Sequence, residues 1–96
     1  MSSTKQQILT AAMGLAGRQG FRNVTRAAIA SRVGIATGTV SYHFETMAKL
    51  QDAIMSHAVE VSNVIVVAQG LAEGHKAAKA APNSLRLEAA KLMAGV

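Results

Sequence analysis

Residues Arg26 to Glu45 read RAAIASRVGIATGTVSYHFE, and the spacing of the apolar residues in this stretch decides the fold. Ile29 and Val33 stand four apart, which places them on one face of a helix. Gly34 follows at once and can take the left-handed backbone that ends a helix. Ile35 is then expected to drop into the corner, and Val40 to anchor a second short helix against the first. The small Ala30 lies where the two helices approach most closely and lets them cross steeply. This is the pattern of a helix-turn-helix, whose second helix enters the DNA major groove. With Ile35 and Val40 inward, Ala36, Thr37, Gly38, Ser41 and Tyr42 face outward as a small polar surface with one aromatic. Spacing alone also fits a solvated face on an ordinary helical hairpin.

The distribution of charge favours the first reading. The net charge is +5. Lys5, Arg18, Arg22, Arg26 and Arg32 all precede Glu45, and no acid does. Beyond Phe44, Glu45, Asp52, Glu60, Glu73 and Glu88 balance Lys49, Lys76, Lys79, Arg86 and Lys91. The whole excess lies in the half that contains the motif, where it attracts a phosphate backbone. An acidic protein partner could use the same field.

A chain of 96 residues makes one domain, or a small domain with a helical extension, and its core is limited. Marginal stability or dimerisation is the corollary. Half of the residues are apolar but only three are aromatic, and Ala dominates, as in helices packed through small side chains. Cysteine is absent, which excludes disulfides and thiolate metal sites. The apolar run Val64 to Ala68 is too short to span a bilayer, and MSSTKQQ is not a signal peptide. A soluble, cytoplasmic protein is expected.

Along the chain, Thr4 with Gln7 is expected to form a capping box for a first helix over Lys5 to Gln19. Ile8, Ala12, Leu15, Ala16 and Gln19 follow its spacing, with Leu9 and Met13 alongside. Gly14 and Gly17 each weaken that helix by roughly 1 kcal/mol relative to Ala, and Gly20 stops it. Phe21 and Val24 are read as buried plugs. Thr25 caps the second helix, Arg26 to Val33, at an end that also favours a phosphate.

Ile8-Leu9, Ala11-Ala12, Leu15, Gly20, Val24-Thr25, Ile29-Ala30, Val33-Gly34-Ile35 and Gly38 to Phe44 (GTVSYHF) form an ordered set. In order and spacing this set resembles the N-terminal signature of the TetR family of transcriptional regulators, over about Lys5 to Leu50. The resemblance implies roles for particular residues. Thr37 and Gly38 fall where the recognition helix begins and meets base edges, and Ser41 where many members carry a base-contacting tyrosine. Thr39, Tyr42 and His43 match phosphate-contacting positions, as does Thr25. Hydroxyl, phenol and imidazole donors suit phosphate oxygens, and a glycine permits close approach to the groove. Arg26 joins the phosphate set. Two departures stand out. Ser41 is smaller than the usual aromatic, and Met47 occupies a position where the family generally has a phosphate-binding lysine. Lys49 compensates in part, though it leaves the helix about 200° further round.

No chemistry of another kind is legible. His57 and His75 are isolated, no His pair has metal-ligand spacing, and the carboxylates are scattered. Neither catalysis nor a metal or other cofactor is expected.

In the second half, Thr46 is expected to cap one long helix from Met47 to Gln69, ending before Gly70. Met47, Leu50, Ile54, His57, Val61, Val64, Ala68 and Leu71 step by threes and fours like a packing seam. Met55, Val59, Ser62 and Val66 widen it, and the all-round apolar VEVSNVIVV argues for burial against more than one partner. LAEGHKAAKAA reads as a short helix or connector before Pro82. Asn83 or Ser84 caps a last helix, with Leu85, Ala89, Leu92 and Val96 on one face and Lys91 suited to its C-terminal dipole.

The expected fold is all-α: a three-helix helix-turn-helix domain over residues 1–46, then a helical dimerisation extension over 47–96. Members of the family usually carry a larger C-terminal domain that encloses an inducer, whereas about fifty residues follow the motif here, either natively or by truncation. A pocket with a complete wall is hard to build from so few. The expected function is a homodimeric repressor that binds a palindromic duplex operator through residues 37–43, with no membrane partner and no small-molecule effector. Ile54, Val61, Val64, Ile65, Ala68, Leu85 and Leu92 form the expected dimer contact. The rival is a protein-interaction module, an antirepressor or adaptor, on the same fold. Operator sequence, regulated genes and direction of regulation are not encoded legibly.

Overall fold

The computed structural model describes residues 3–95, and every regular element among them is helical. The order is α1 (Thr4–Gln19), a 3-10 turn (Phe21–Asn23), α2 (Arg26–Val33), α3 (Thr37–His43), α4 (Met47–Glu60), α5 (Val64–Ala72), α6 (Lys76–Lys79) and α7 (Asn83–Ala94). The all-α expectation holds, and the helix-turn-helix lies where its apolar spacing put it.

Local chemistry accounts for the first four helices. Ser3, not Thr4, caps α1: its hydroxyl accepts from the Gln6 N–H at 3.1 Å. Moving the cap one residue back brings Thr4 into the helix and adds the Gln7 N–H to Ser3 carbonyl bond at 3.0 Å, so the Thr4–Gln7 box does not form. Gly20 ends α1 at φ +92°. Thr25 and Thr46 cap α2 and α4 as expected, accepting from the Ala28 and Lys49 N–H groups. Gly34 is left-handed at φ 84° and ψ 37°. Its N–H and that of Ile35 both reach the Ala30 carbonyl, at 2.8 and 3.0 Å, which turns the chain from α2 into α3.

Ile8, Ala12 and Ala16 of α1 meet Phe21, Val24, Ile29, Ala30, Val40, Phe44, Leu50 and Ile54 in one core that continues into α5 and α7. Ala11 joins it, Leu15 and Ile35 are half-buried against it, and Gln19 stays in solvent. Phe21 and Val24 are each 1% exposed, as plugs should be.

The single long helix is not observed. The chain leaves α4 after Glu60, passes through Ser62 at φ +56°, and restarts at α5. Asn63 makes this break: its side chain accepts from the Val66 N–H at 3.1 Å, while its own N–H closes α4 on the Ala58 carbonyl at 2.8 Å. A non-glycine residue at positive φ costs about 1–3 kcal/mol. The reversal buries Val66 and Val67 completely against the molecule's own core, each worth roughly 1.5 kcal/mol or more, and burial wins. The seam read from Met47 to Leu71 is thereby cut at Val61, which is 52% exposed.

Gly70 is not a stop either. It sits inside α5, where an added Cβ would lie 2.6 Å from the Met55 sulfur and 2.7 Å from the Ala78 Cβ. Its missing side chain lets α5 close on α4 and α6; the turn that follows uses Gly74 instead, at φ +71°. Neither Asn83 nor Ser84 caps α7: extended Pro82 precedes it, and the Arg86 N–H bonds to the Pro82 carbonyl at 3.0 Å. α7 packs chiefly on α5 through Leu85 and Ala89. Val96, expected to extend that face, lies outside the described residues. No helix of the described residues is long and apolar enough to cross a membrane.

Candidate nucleic-acid interface

α3 is held from behind by Val40, which is fully buried, and by Phe44 at its C-terminal end. Its principal support is α2. With those residues inward, Ala36, Thr37, Gly38 and Tyr42 are exposed, and Thr39, Ser41 and His43 are half-exposed beside them. The outward face derived from the spacing of Ile35 and Val40 is therefore the face the structure presents, except that Ser41 stands partly sheltered.

Two features of this face have no use inside the subunit. Tyr42 is 82% exposed, the most exposed large apolar side chain among the described residues, with its ring edge-on to His43 at 5.3 Å. Gly38 weakens a seven-residue helix by about 1 kcal/mol relative to Ala, yet a Cβ there would meet nothing within 4 Å. Gly38 contrasts with Gly70, whose close neighbours explain it. A slim backbone and a projecting phenol suit a surface that is approached from outside.

The remaining expected contacts divide. Thr25 is exposed at the start of α2, its hydroxyl accepting the capping bond and keeping its proton for another acceptor. Arg26 is half-buried: its Nη2 donates to the Glu45 carbonyl at 3.1 Å, and its Nε is enclosed without a partner. Arg26 thus braces the start of α2 against the corner before α4, in addition to any phosphate role. Lys49 pairs with Glu45 at 3.7 Å, both well exposed, a weak bond that a phosphate can displace. Met47 is half-buried and packs on the core. Lys5 lies over the Phe44 ring at 5.5 Å, which carries its charge to the end of α3.

The front-end charge is less uniform than a count suggests. Arg22 donates to Glu73 at 3.0 Å and to Gln51 at 2.7 Å, so its charge is directed at the second half. Arg32 lines an open groove of about 370 Å³ between α1 and α2, with Gln7, Thr10, Ala11 and Val33.

Of the expected dimer contacts, Ile54 is fully buried in the subunit, and Ala68 and Leu85 are 7% exposed. These three hold the subunit's own helices together and are not available to a partner. Ile54 and Ala68 fell on the expected seam because one long straight helix was read there, whereas Leu85 was read on the last helix and packs inward on α5. Val61, Ile65 and Leu92 are 52%, 53% and 42% exposed, and Val64 is half-buried. Leu87 and Met93, missed in the sequence, are exposed on α7.

His75, read from the sequence as isolated, has a partner. It is 7% exposed and bonds Asp52 through Nε2 at 2.8 Å, while its Nδ1 accepts from the Ala77 N–H and caps α6. Nδ1 therefore carries the lone pair and Nε2 the proton given to Asp52. Among the described residues no three His, Asp or Glu side chains gather in a metal-binding group.

Residues 8–54 match the family model of bacterial regulatory proteins, tetR family. The matched stretch runs from the first buried residue of α1 to Ile54 in α4. No curated protein and no solved structure matches the chain.

Proposed function

We propose, from the premise that this chain carries the N-terminal helix-turn-helix domain of the tetR family and is a DNA-binding transcriptional regulator, that it acts as a homodimeric repressor. Thr37, Gly38 and Ser41 meet base edges in the major groove, and Thr25, Thr39, Tyr42, His43 and Lys49 hold the flanking phosphates, with Arg26 behind them. The observation that carries this reading is the outward surface of α3, where an exposed tyrosine and a glycine without internal purpose sit on a cationic front half.

Two such subunits, joined through the exposed apolar residues of α5 and α7, read half-sites about one helical turn apart or a multiple of it. Repression follows wherever that operator overlaps a promoter. In this reading the role needs no small-molecule effector, and the close packing of α5 on α4 and α6 at Gly70 supports it.

Selection of duplexes from a random pool, followed by mobility shifts at several salt concentrations, tests the reading. The expected result is a palindromic consensus and an affinity that falls steeply with salt. Absence of salt-dependent duplex binding would sink it and leave the fold to a protein-interaction role.

A further inference from the structure

Gln69 lies in the middle of α5 and reaches across to the first half. Its Oε1 accepts from the Phe21 backbone N–H at 2.9 Å, and its Nε2 donates to the Ala16 carbonyl at 2.8 Å. Both are backbone atoms of the corner where α1 ends and the chain turns toward α2. One half-buried amide thus grips that corner with two directional bonds.

Other links converge there but hold less firmly. The Arg22–Glu73 pair is about half-exposed and correspondingly screened. His75 touches Phe21 edge-on, with ring centroids 5.9 Å apart, and its polar bonds run to α4 and α6 rather than to the first half. Apolar packing of α1 on α4 and α5 supplies adhesion without fixing register.

The path from the second half to α3 is a relay. α3 leans on α2, α2 on α1, and α1 on α4 and α5. Beside the α3–α4 corner and its Arg26–Glu45 brace, a dimer surface on α5 and α7 orients the recognition helix through the attachment of α1, and Gln69 is a polar bolt in that attachment. We propose that Gln69 is a positioning residue for DNA binding: its amide locks the corner after α1 to α5 and so sets the half-site spacing the dimer accepts. This rests on the dimeric operator reading given above.

The experiment compares the full chain with Gln69→Glu and Gln69→Met. Glu keeps an acceptor for the Phe21 N–H but puts an oxygen against the Ala16 carbonyl; Met removes both bonds at similar length. Hydrogen exchange at the Phe21 amide is the first readout, with faster exchange expected in Gln69→Met by about tenfold or more. The second is affinity for the selected operator against duplexes with spacing changed by one base pair, and for a single half-site. Expected is near-unchanged single half-site affinity with discrimination between spacings reduced by about fivefold or more in Gln69→Met. Gln69→Glu is expected to recover discrimination as its carboxyl is protonated and can again donate to Ala16, which mere loss of packing would not reproduce.

Should Gln69→Met fail to fold, Gln69→Glu decides by its pH dependence: spacing discrimination that is the same with the carboxyl ionised and protonated overturns the proposal. If spacing discrimination is unchanged while the Phe21 amide is released, this proposal is overturned and the dimeric reading stands. If the wild-type chain has no spacing preference, the dimeric reading falls and this one with it.

Discussion

Gly38 and Tyr42 present opposite exceptions at the residue scale, one a side chain withheld and the other a side chain extended into solvent. Nothing within 4 Å of Gly38 would obstruct a methyl group. Gly38→Ala is therefore expected to stabilise the isolated protein by roughly 0.5–1 kcal/mol and to weaken operator binding, as read by thermal melts beside mobility shifts. A gain in both would remove the argument that the glycine serves DNA approach. Tyr42 is so exposed that Tyr42→Ala should leave the melting temperature almost unmoved. It should weaken binding to every duplex by roughly 2- to 10-fold, the worth of one hydrogen bond. Thr37→Val should instead change which base is preferred at one operator position.

At the scale of elements, α5 is the part whose placement had to be discovered. It exists as a separate helix because Asn63 supplies a cap and because two valines gain burial when the chain reverses. Asn63→Ala should lower stability by about 1 kcal/mol, measurable by urea unfolding. Gly70→Ala should destabilise by about 1–3 kcal/mol, since the added methyl meets Met55 and Ala78. Gly17→Ala in α1, where a Cβ meets nothing, should stabilise by up to about 1 kcal/mol. Equal effects at the two glycines would contradict the packing described for α5.

For the whole molecule, the issue is how a cationic front and an apolar back divide the work. Ile65 and Leu87 are exposed on helices that pack on each other. Ile65→Asp combined with Leu87→Asp should convert a dimer into a folded monomer by sedimentation, with loss of preference for paired half-sites. A wild-type chain that sediments as a monomer at every concentration would refute the dimer. The field itself can be dissected by salt. Lys49→Gln should reduce the salt slope of binding by about one phosphate contact, whereas Arg22→Gln should leave it unchanged, because Arg22 already faces Glu73 and Gln51.

The sequence by itself determined the helix-turn-helix and its outward face. Ile29, Val33, Gly34 and Val40 act on neighbours a turn or two away, and capping threonines and a left-handed glycine are local chemistry. It also determined that the positive excess lies in the front half, since charge is counted and needs no geometry. Tertiary structure decided the rest. Whether VEVSNVIVV continues one helix or breaks into two depends on what stands opposite Val66 and Val67, which no periodicity reports. Gly70 read as a terminator because its neighbours Met55 and Ala78 come from other helices. His75 with Asp52, Arg22 with Glu73 and Gln69 with Phe21 are pairs 23, 51 and 48 residues apart. Such partners meet only when the chain has already folded, so their bonds leave no pattern in the order of residues.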